Sequence, residues 1–326
     1  MCSPLNARRI ILEPIKRMSK NKAVPKPNGN VVVSTHQRSS LDEEVEFDDN
    51  AQSLANILSS NQQQPTSNIT SIFQLFKDAK WKSAEYTTTK KPSRMLNNWI
   101  QKHIGDLEIV IACSSLLICV AADDELVRVV DRLYTYSQSE CNDKYFIKTH
   151  VINQLNRFVG LHICEPATAT NTGTQVAVLV TLSILKNIMN SNEAFIVARE
   201  LQIVRIYSGY ISGILGLERT RSDKTLNLVL RILRNLCSSQ TTRPSFQAPV
   251  TEEGTGKILG TPLQHISSVT SHVFNTGNPA ETALILLRIL SRLCSLPEFP
   301  LLLLPRLPDL LQLASGFTWV LHRNSK

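Results

Sequence analysis

The sequence predicts an all-α fold in which similar helices stack in series. Three observations lead there: a stretch that occurs more than once, helical spacing inside each copy, and Gly/Pro-containing breaks between the copies. Thr225–Ser238 (TLNLVLRILRNLCS) recurs at Thr282–Ser295 (TALILLRILSRLCS), with identities that include Leu230/Leu287, Arg231/Arg288, Leu233/Leu290, Leu236/Leu293 and Cys237/Cys294. A weaker copy, Val180–Ser191, repeats I-L-[KR]-N-[IL] at Ile184–Ile188, and Leu116–Val120 fits the same apolar frame without the identities. Self-similarity at a period of about 40–60 residues is the mark of a helical-repeat array. In Thr225–Ser238 the polar residues Asn227, Arg231, Arg234, Asn235 and Ser238 fall three and four apart, so they share one stripe. About two-thirds of the circumference is then apolar, and such a helix has to be sandwiched between neighbours.

Taken in order, residues 1–68 read as a disordered tail, basic and then acidic, with Pro4, Pro14, Pro25, Pro27 and Pro65 and few aromatics. The series Arg8, Arg9, Lys16, Arg17, Lys20, Lys22 has the composition of a nuclear-localisation signal. Val31–Val33 ahead of Asp42–Asp49 has the make-up of a strand that adds to a partner sheet. Leu41, Val45, Phe47, Leu54, Ile57 and Leu58 thread an acidic run that suits a helix docking in a basic groove. Residues 69–94 are an amphipathic helix (Ile69–Ala84, with Phe73, Phe76 and Trp81 on its stripe) and a linker, and the helix either caps the body or docks on a partner.

Residues 95–326 form the helical-repeat domain. The spacing predicts helices over Met95–Ile104, Leu107–Ala122, Asp124–Tyr136, Tyr145–Leu161, Val176–Met189, Ala194–Ile203 and Val204–Leu217, the last loosened by Gly209 and Gly213. Asp223 is the expected N-cap of the central copy. Residues 239–260 read as a long Ser/Thr/Pro/Gly loop before Leu263–Phe274. Pro279 and Glu281 open the last copy, Pro297 and Pro300 stop it, and Leu307–Leu321 supplies one more helix.

Two helices per copy, with greasy faces and short breaks, resemble the armadillo and HEAT repeat families over about residues 95–315. The resemblance implies a right-handed α-solenoid and brings no catalytic motif. An acidic, hydrophobe-spaced tail ahead of such a body also looks like the interacting subunits of DNA-damage checkpoint kinases, although the coiled coil expected between those parts is missing.

Two stretches come near a chemical motif and fall short of it. Glu253–Gly260 (EGTGKILG) invites comparison with a phosphate-binding loop, but Thr251 and Ile258 stand where a Gly and a hydroxyl are required, so it reads as a linker. His162 and Cys164, with His150, fall short of the four ligands that a zinc site wants. Seven cysteines without CxxC spacing suit a reducing compartment, where Cys237 and Cys294 would pack as small hydrophobes. The apolar run Ile109–Ala122 is shorter than the roughly 20 residues a bilayer demands. The expectation is a soluble, intracellular protein, nuclear rather than cytoplasmic, with no catalytic residue, metal or cofactor.

Charge narrows the partner. The chain carries a net charge of +8, but residues 105–326 hold twenty basic against eighteen acidic residues, so the excess lies in the N-terminal third. Within the repeats Arg231 and Arg288 share one position, Arg234 and Arg292 lie a turn further, and Lys186 matches Arg234. Equivalent positions of stacked helices line up, so these five residues form a ladder suited to an acidic or phosphorylated peptide; the same stripe also serves simply to solvate otherwise buried helices. The expected function is a scaffold or adaptor that binds protein through Lys186, Arg231, Arg234, Arg288 and Arg292, with Phe47 and Trp81 as further contacts. The alternative is a nucleic-acid-associated protein that uses the basic third and the same stripe.

Overall fold

A computed structural model describes residues 52–59, 65–78, 91–121, 123–165, 172–217, 219–251, 258–275, 280–296, 299–308 and 311. All of them lie in one compact unit, Val45–Lys326. The fold is all-α apart from one short ribbon. Its helices are α1 (52–59), α2 (Pro65–Asp78), α3 (Lys91–Lys102), α4 (Leu107–Leu117), α5 (Asp123–Ser137), α6 (Asp143–Phe146) and α7 (Thr149–His162). They continue with α8 (Thr172–Ile188), α9 (Asn192–Glu200), α10 (Ile203–Leu215), α11 (Arg219–Cys237), α12 (Pro262–Asn275), α13 (Ala280–Leu293) and α14 (Phe299–Leu303).

The repeat copies become a row. Helix α5 packs on α8, α8 on α11, and α11 on α13. A second row backs it: α4 packs on α5 and α7, α7 on α8, and α10 on both α11 and α12. Tyr207 of α10 donates a buried 2.7 Å hydrogen bond to Asn156 of α7, continuing that second row. Two glycines permit the α7–α10 approach. A Cβ on Gly160 would stand 2.5 Å from the Tyr210 hydroxyl, and one on Gly213 would stand 2.5 Å from Cys164 Sγ. Gly213 therefore serves close packing and does not loosen its helix.

Burial follows position in the row. Helix α11 has neighbours on several sides, and Leu226, Val229, Leu230, Ile232, Leu233, Leu236 and Cys237 are all fully buried. Each such leucine contributes about 1.5–3 kcal/mol relative to exposure. Helix α13 packs on α11 and α12; it buries Leu286, Ile289, Leu290 and Leu293 but leaves Leu284 40 % exposed. Cys294, one residue past the end of α13, is exposed, whereas its counterpart Cys237 is buried. The expectation that both would be buried fails because α13 has no further row helix over it among the described residues.

Other expectations change as well. Leu116 and Leu117 end α4, in the backing row, so Leu116–Val120 is not a member of the repeat row. The row's first member is α5, whose buried Val129, Val130 and Leu133 match Ile184, Leu185 and Ile188. Asp223 lies inside α11 and is not its N-cap. Asp106 does cap α4, accepting from the Glu108 and Ile109 amides at 3.0 and 3.4 Å, and Ser191 caps α9 through the Ala194 amide at 3.2 Å. Gln202, at φ 53°, turns the chain between α9 and α10 in the left-handed region.

Two segments read as unstructured carry structure. Residues 52–59 are helical, Leu54 is fully buried, and α2 begins at Pro65, so the body reaches into the segment assigned to the tail. Residues 239–260 include a 3₁₀ turn, Arg243–Phe246, and an antiparallel ribbon of β1 (Val250–Thr251) and β2 (Ile258–Gly260). Phe246 is fully buried against α10, α11 and α12. Within the tail, residues 1–51 and 60–64 lie outside the described residues, as do most of Leu307–Leu321.

Candidate functional site

Five of the seven residues proposed for partner binding come together on the repeat row. Lys186 stands in the last turn of α8, Arg231 and Arg234 on α11, and Arg288 and Arg292 on α13. Lys186, Arg231 and Arg234 are half-buried; Arg288 and Arg292 are exposed. Phe47 and Trp81 lie outside the described residues.

Neighbouring cations perturb one another here. Burial, and then the Arg231 and Arg234 guanidiniums, hold the Lys186 ammonium below the ordinary lysine value. Burial, and then Arg231, Arg288 and Arg292, hold Arg234 below the ordinary arginine value. Arg234 is therefore the electrostatic centre of the cluster. Among the described residues, Glu281 is the one carboxylate paired with it, forming an ion pair with Arg231 across the α11–α13 contact. That pair is braced, since Arg231 Nε donates to Asn227 Oδ1 at 2.8 Å and Asn227 Nδ2 donates to Thr282 Oγ1 at 3.0 Å.

A second set of polar contacts runs beside the cations. Asn187 on α8 donates to Ser137 Oγ on α5 at 3.2 Å. Asn235 on α11 donates to the Lys186 carbonyl at 3.2 Å and to Asn190 Oδ1 at 2.7 Å. Arg292 on α13 donates to the Arg234 carbonyl at 3.4 Å. At matching positions, then, each helix reaches back to the end of the one before it and satisfies a polar group there. The sequence names Asn235 only as part of a polar stripe and Asn187 only within a repeated motif, and it gives no sign that Asn190 belongs to this series. The signal available was the shared Asn of I-L-K-N-I and I-L-R-N-L.

These contacts divide the cations by role. Lys186, Arg234 and Arg292 occupy last turns, where cations complement the partial negative charge of a helix C-terminus. Arg231 is tied to Glu281 and Asn227. Arg234 Nε and Nη2 both donate to Asn235 Oδ1, at 3.4 and 3.0 Å, which fixes the guanidinium plane. Arg288 is exposed, and no hydrogen bond or ion pair involves it among the described residues. The arrangement presents a fixed, half-buried guanidinium flanked by accessible ones, the geometry that receives an anion bidentately.

Among the described residues the remaining titratable groups form no comparable site. His162 Nδ1 lies 2.9 Å from Glu165 Oε2, and His150 packs at a tilt of 52° against Phe73 with ring centroids 4.4 Å apart. Burial pushes the Cys237 thiol up to about 11 despite the nearby Arg292, Arg243 and Arg234. Among the described residues no helix is long and apolar enough to cross a membrane. Comparison with protein-family models, curated proteins and solved structures finds no match.

Proposed function

We propose that this chain is a non-enzymatic adaptor, an armadillo/HEAT-like right-handed α-solenoid whose repeat row takes up an acidic segment of a protein partner. The observation that carries the proposal is the convergence of Lys186, Arg231, Arg234, Arg288 and Arg292 from three successive row helices on a surface with one paired carboxylate. Like charges gathered on half-buried helix faces repel, and an incoming anion offsets that repulsion. A nuclear role in a genome-maintenance complex suits the basic N-terminal run and the acidic segment around Phe47.

The test is affinity purification of the full chain from nuclease-treated extract, wild type beside Arg288→Glu/Arg292→Glu. The expected result is a stoichiometric protein partner that survives nuclease and is lost from the variant. Arg231 is left intact because its replacement by Glu would face Glu281 and perturb the α11–α13 contact. Loss of the partner on nuclease treatment, or DNA binding with a steep salt dependence, replaces this reading with the nucleic-acid one.

A further inference from the structure

Resting on the adaptor reading, we infer that the surface centred on Arg234 recognises a phosphorylated serine or threonine in the partner segment, in preference to a run of carboxylates. The first ground is the number of guanidiniums that meet there. Arg234 lies within the electrostatic reach of Arg231, Arg288 and Arg292, and the Lys186 ammonium is close to Arg231 and Arg234. A carboxylate offers two oxygens and one charge, enough for a single guanidinium fork. A phosphate monoester brings three acceptor oxygens and about −1.5 to −2 charges at neutral pH, so one group engages several forks at once.

The second ground is preorganisation. Asn235 Oδ1 occupies the Nε–Nη2 edge of Arg234 and so orients its Nη1–Nη2 end, the pair left for an anion, and Asn235 is itself anchored on Asn190 and the Lys186 carbonyl. The one carboxylate of the cluster is already engaged by Arg231, and that pair is braced through Asn227 and Thr282. Arg234 is therefore held in place by a neutral contact that leaves its charge uncompensated, and no ion pair among the described residues neutralises Arg288 or Lys186.

The third ground is extent. A nucleic-acid strand presents phosphates in series and needs a continuous basic track. Here the stripe is interrupted. On α5 the repeat position held by Lys186 on α8 and Arg234 on α11 belongs to Asp131, which is exposed, between Arg128 and Arg132 at the positions of Arg231 and Arg292. A carboxylate in that register opposes a run of phosphates laid along the row, which suits a single phosphorylated side chain.

The experiment uses the full chain with three probes at matched ionic strength: the peptide acetyl-Glu-phosphoSer-Glu-amide, its acetyl-Glu-Glu-Glu-amide analogue, and a single-stranded DNA oligonucleotide. Binding is read by fluorescence anisotropy and by thermal shift. The expected result is that the phosphopeptide binds at least about tenfold more tightly than the triglutamate peptide, and that Arg288→Gln and Arg234→Lys each remove about tenfold of that affinity. Arg234→Lys keeps the charge and deletes the fork, so its loss separates bidentate recognition from simple attraction. Arg199→Gln, at an exposed position of α9, should change nothing. Equal binding of the two peptides overturns the inference and leaves the acidic-segment adaptor standing. No phosphopeptide binding by a chain whose Arg288-dependent protein complex persists also overturns it alone. DNA binding that outcompetes the phosphopeptide and falls steeply with salt overturns both readings.

Discussion

Asn235 ties together more of the site than any arginine does. Its amide nitrogen bridges to α8 through the Lys186 carbonyl and Asn190, and its oxygen accepts both nitrogens of Arg234. It is 8 % exposed, so Asn235→Ala should destabilise the protein by about 1–3 kcal/mol, visible as a lower midpoint in urea. An unchanged midpoint would mean that water replaces the amide without penalty. At the same scale, the two repeat cysteines should part company. Thiol reagents should modify Cys294 within the mixing phase and Cys237 only on unfolding, because Cys237 is buried and its thiolate disfavoured. Sequence identity placed these cysteines at one repeat position, and that much was legible. Their different burial was not, because it depends on which helix has a neighbour beyond it.

At the scale of elements, what could be read was periodicity. Helices such as Leu107–Leu117 and Ala280–Leu293 announce themselves through apolar spacing, and the ladder of Lys186, Arg231, Arg234, Arg288 and Arg292 followed from aligning copies. Phe246 was hidden because it is a lone apolar residue in a polar run, whereas Leu54, read with Ile57 and Leu58 as part of a helix for a partner, packs on this chain's own core. Their burial comes from surfaces supplied by distant helices. A deletion series should expose this difference: removing residues 1–64 should lower the melting temperature relative to removing residues 1–50, since only the longer deletion strips Leu54 from the core. Equal melting temperatures would show that α1 adds nothing.

Helix α2 offers a pH test. It packs on α4, Phe73 meets the His150 ring at a tilt, and Arg157 Nη1 donates to the Phe76 carbonyl at 3.5 Å. Burial pulls the His150 imidazole below its usual 6.5, with Glu108 opposing and Lys148 reinforcing the shift. The unfolded chain therefore takes up this proton first as pH falls, so stability is complete above about 6.5 and declines below it towards the folded-state value. His265, lowered by burial, acts in the same direction. Denaturation curves between pH 7.5 and 5 should show that decline, and His150→Leu should make it shallower; a variant with the wild-type slope would remove His150 from the account.

Across the whole unit, electrostatics and packing pull apart. The cation cluster resists folding at low ionic strength, so added salt should raise the melting temperature by screening it, and Arg288→Gln should reduce that gain. A salt response that the variant leaves intact would place the repulsion elsewhere. The rows also set how the native state opens. Helix α8 is held by α5, α7 and α11, whereas α13 rests on α11 and α12. In a nearest-neighbour array, each element's opening free energy counts the interfaces it must break. Backbone amides should therefore trade hydrogen for deuterium in a graded order, earliest in α13 and latest in α8 and α11. The surface proposed to hold the partner straddles that gradient, so a bound segment spanning Lys186 to Arg292 would join the slow-exchanging middle to the fast-exchanging end. Protection gained on binding should then be largest in α13, the helix with most to gain.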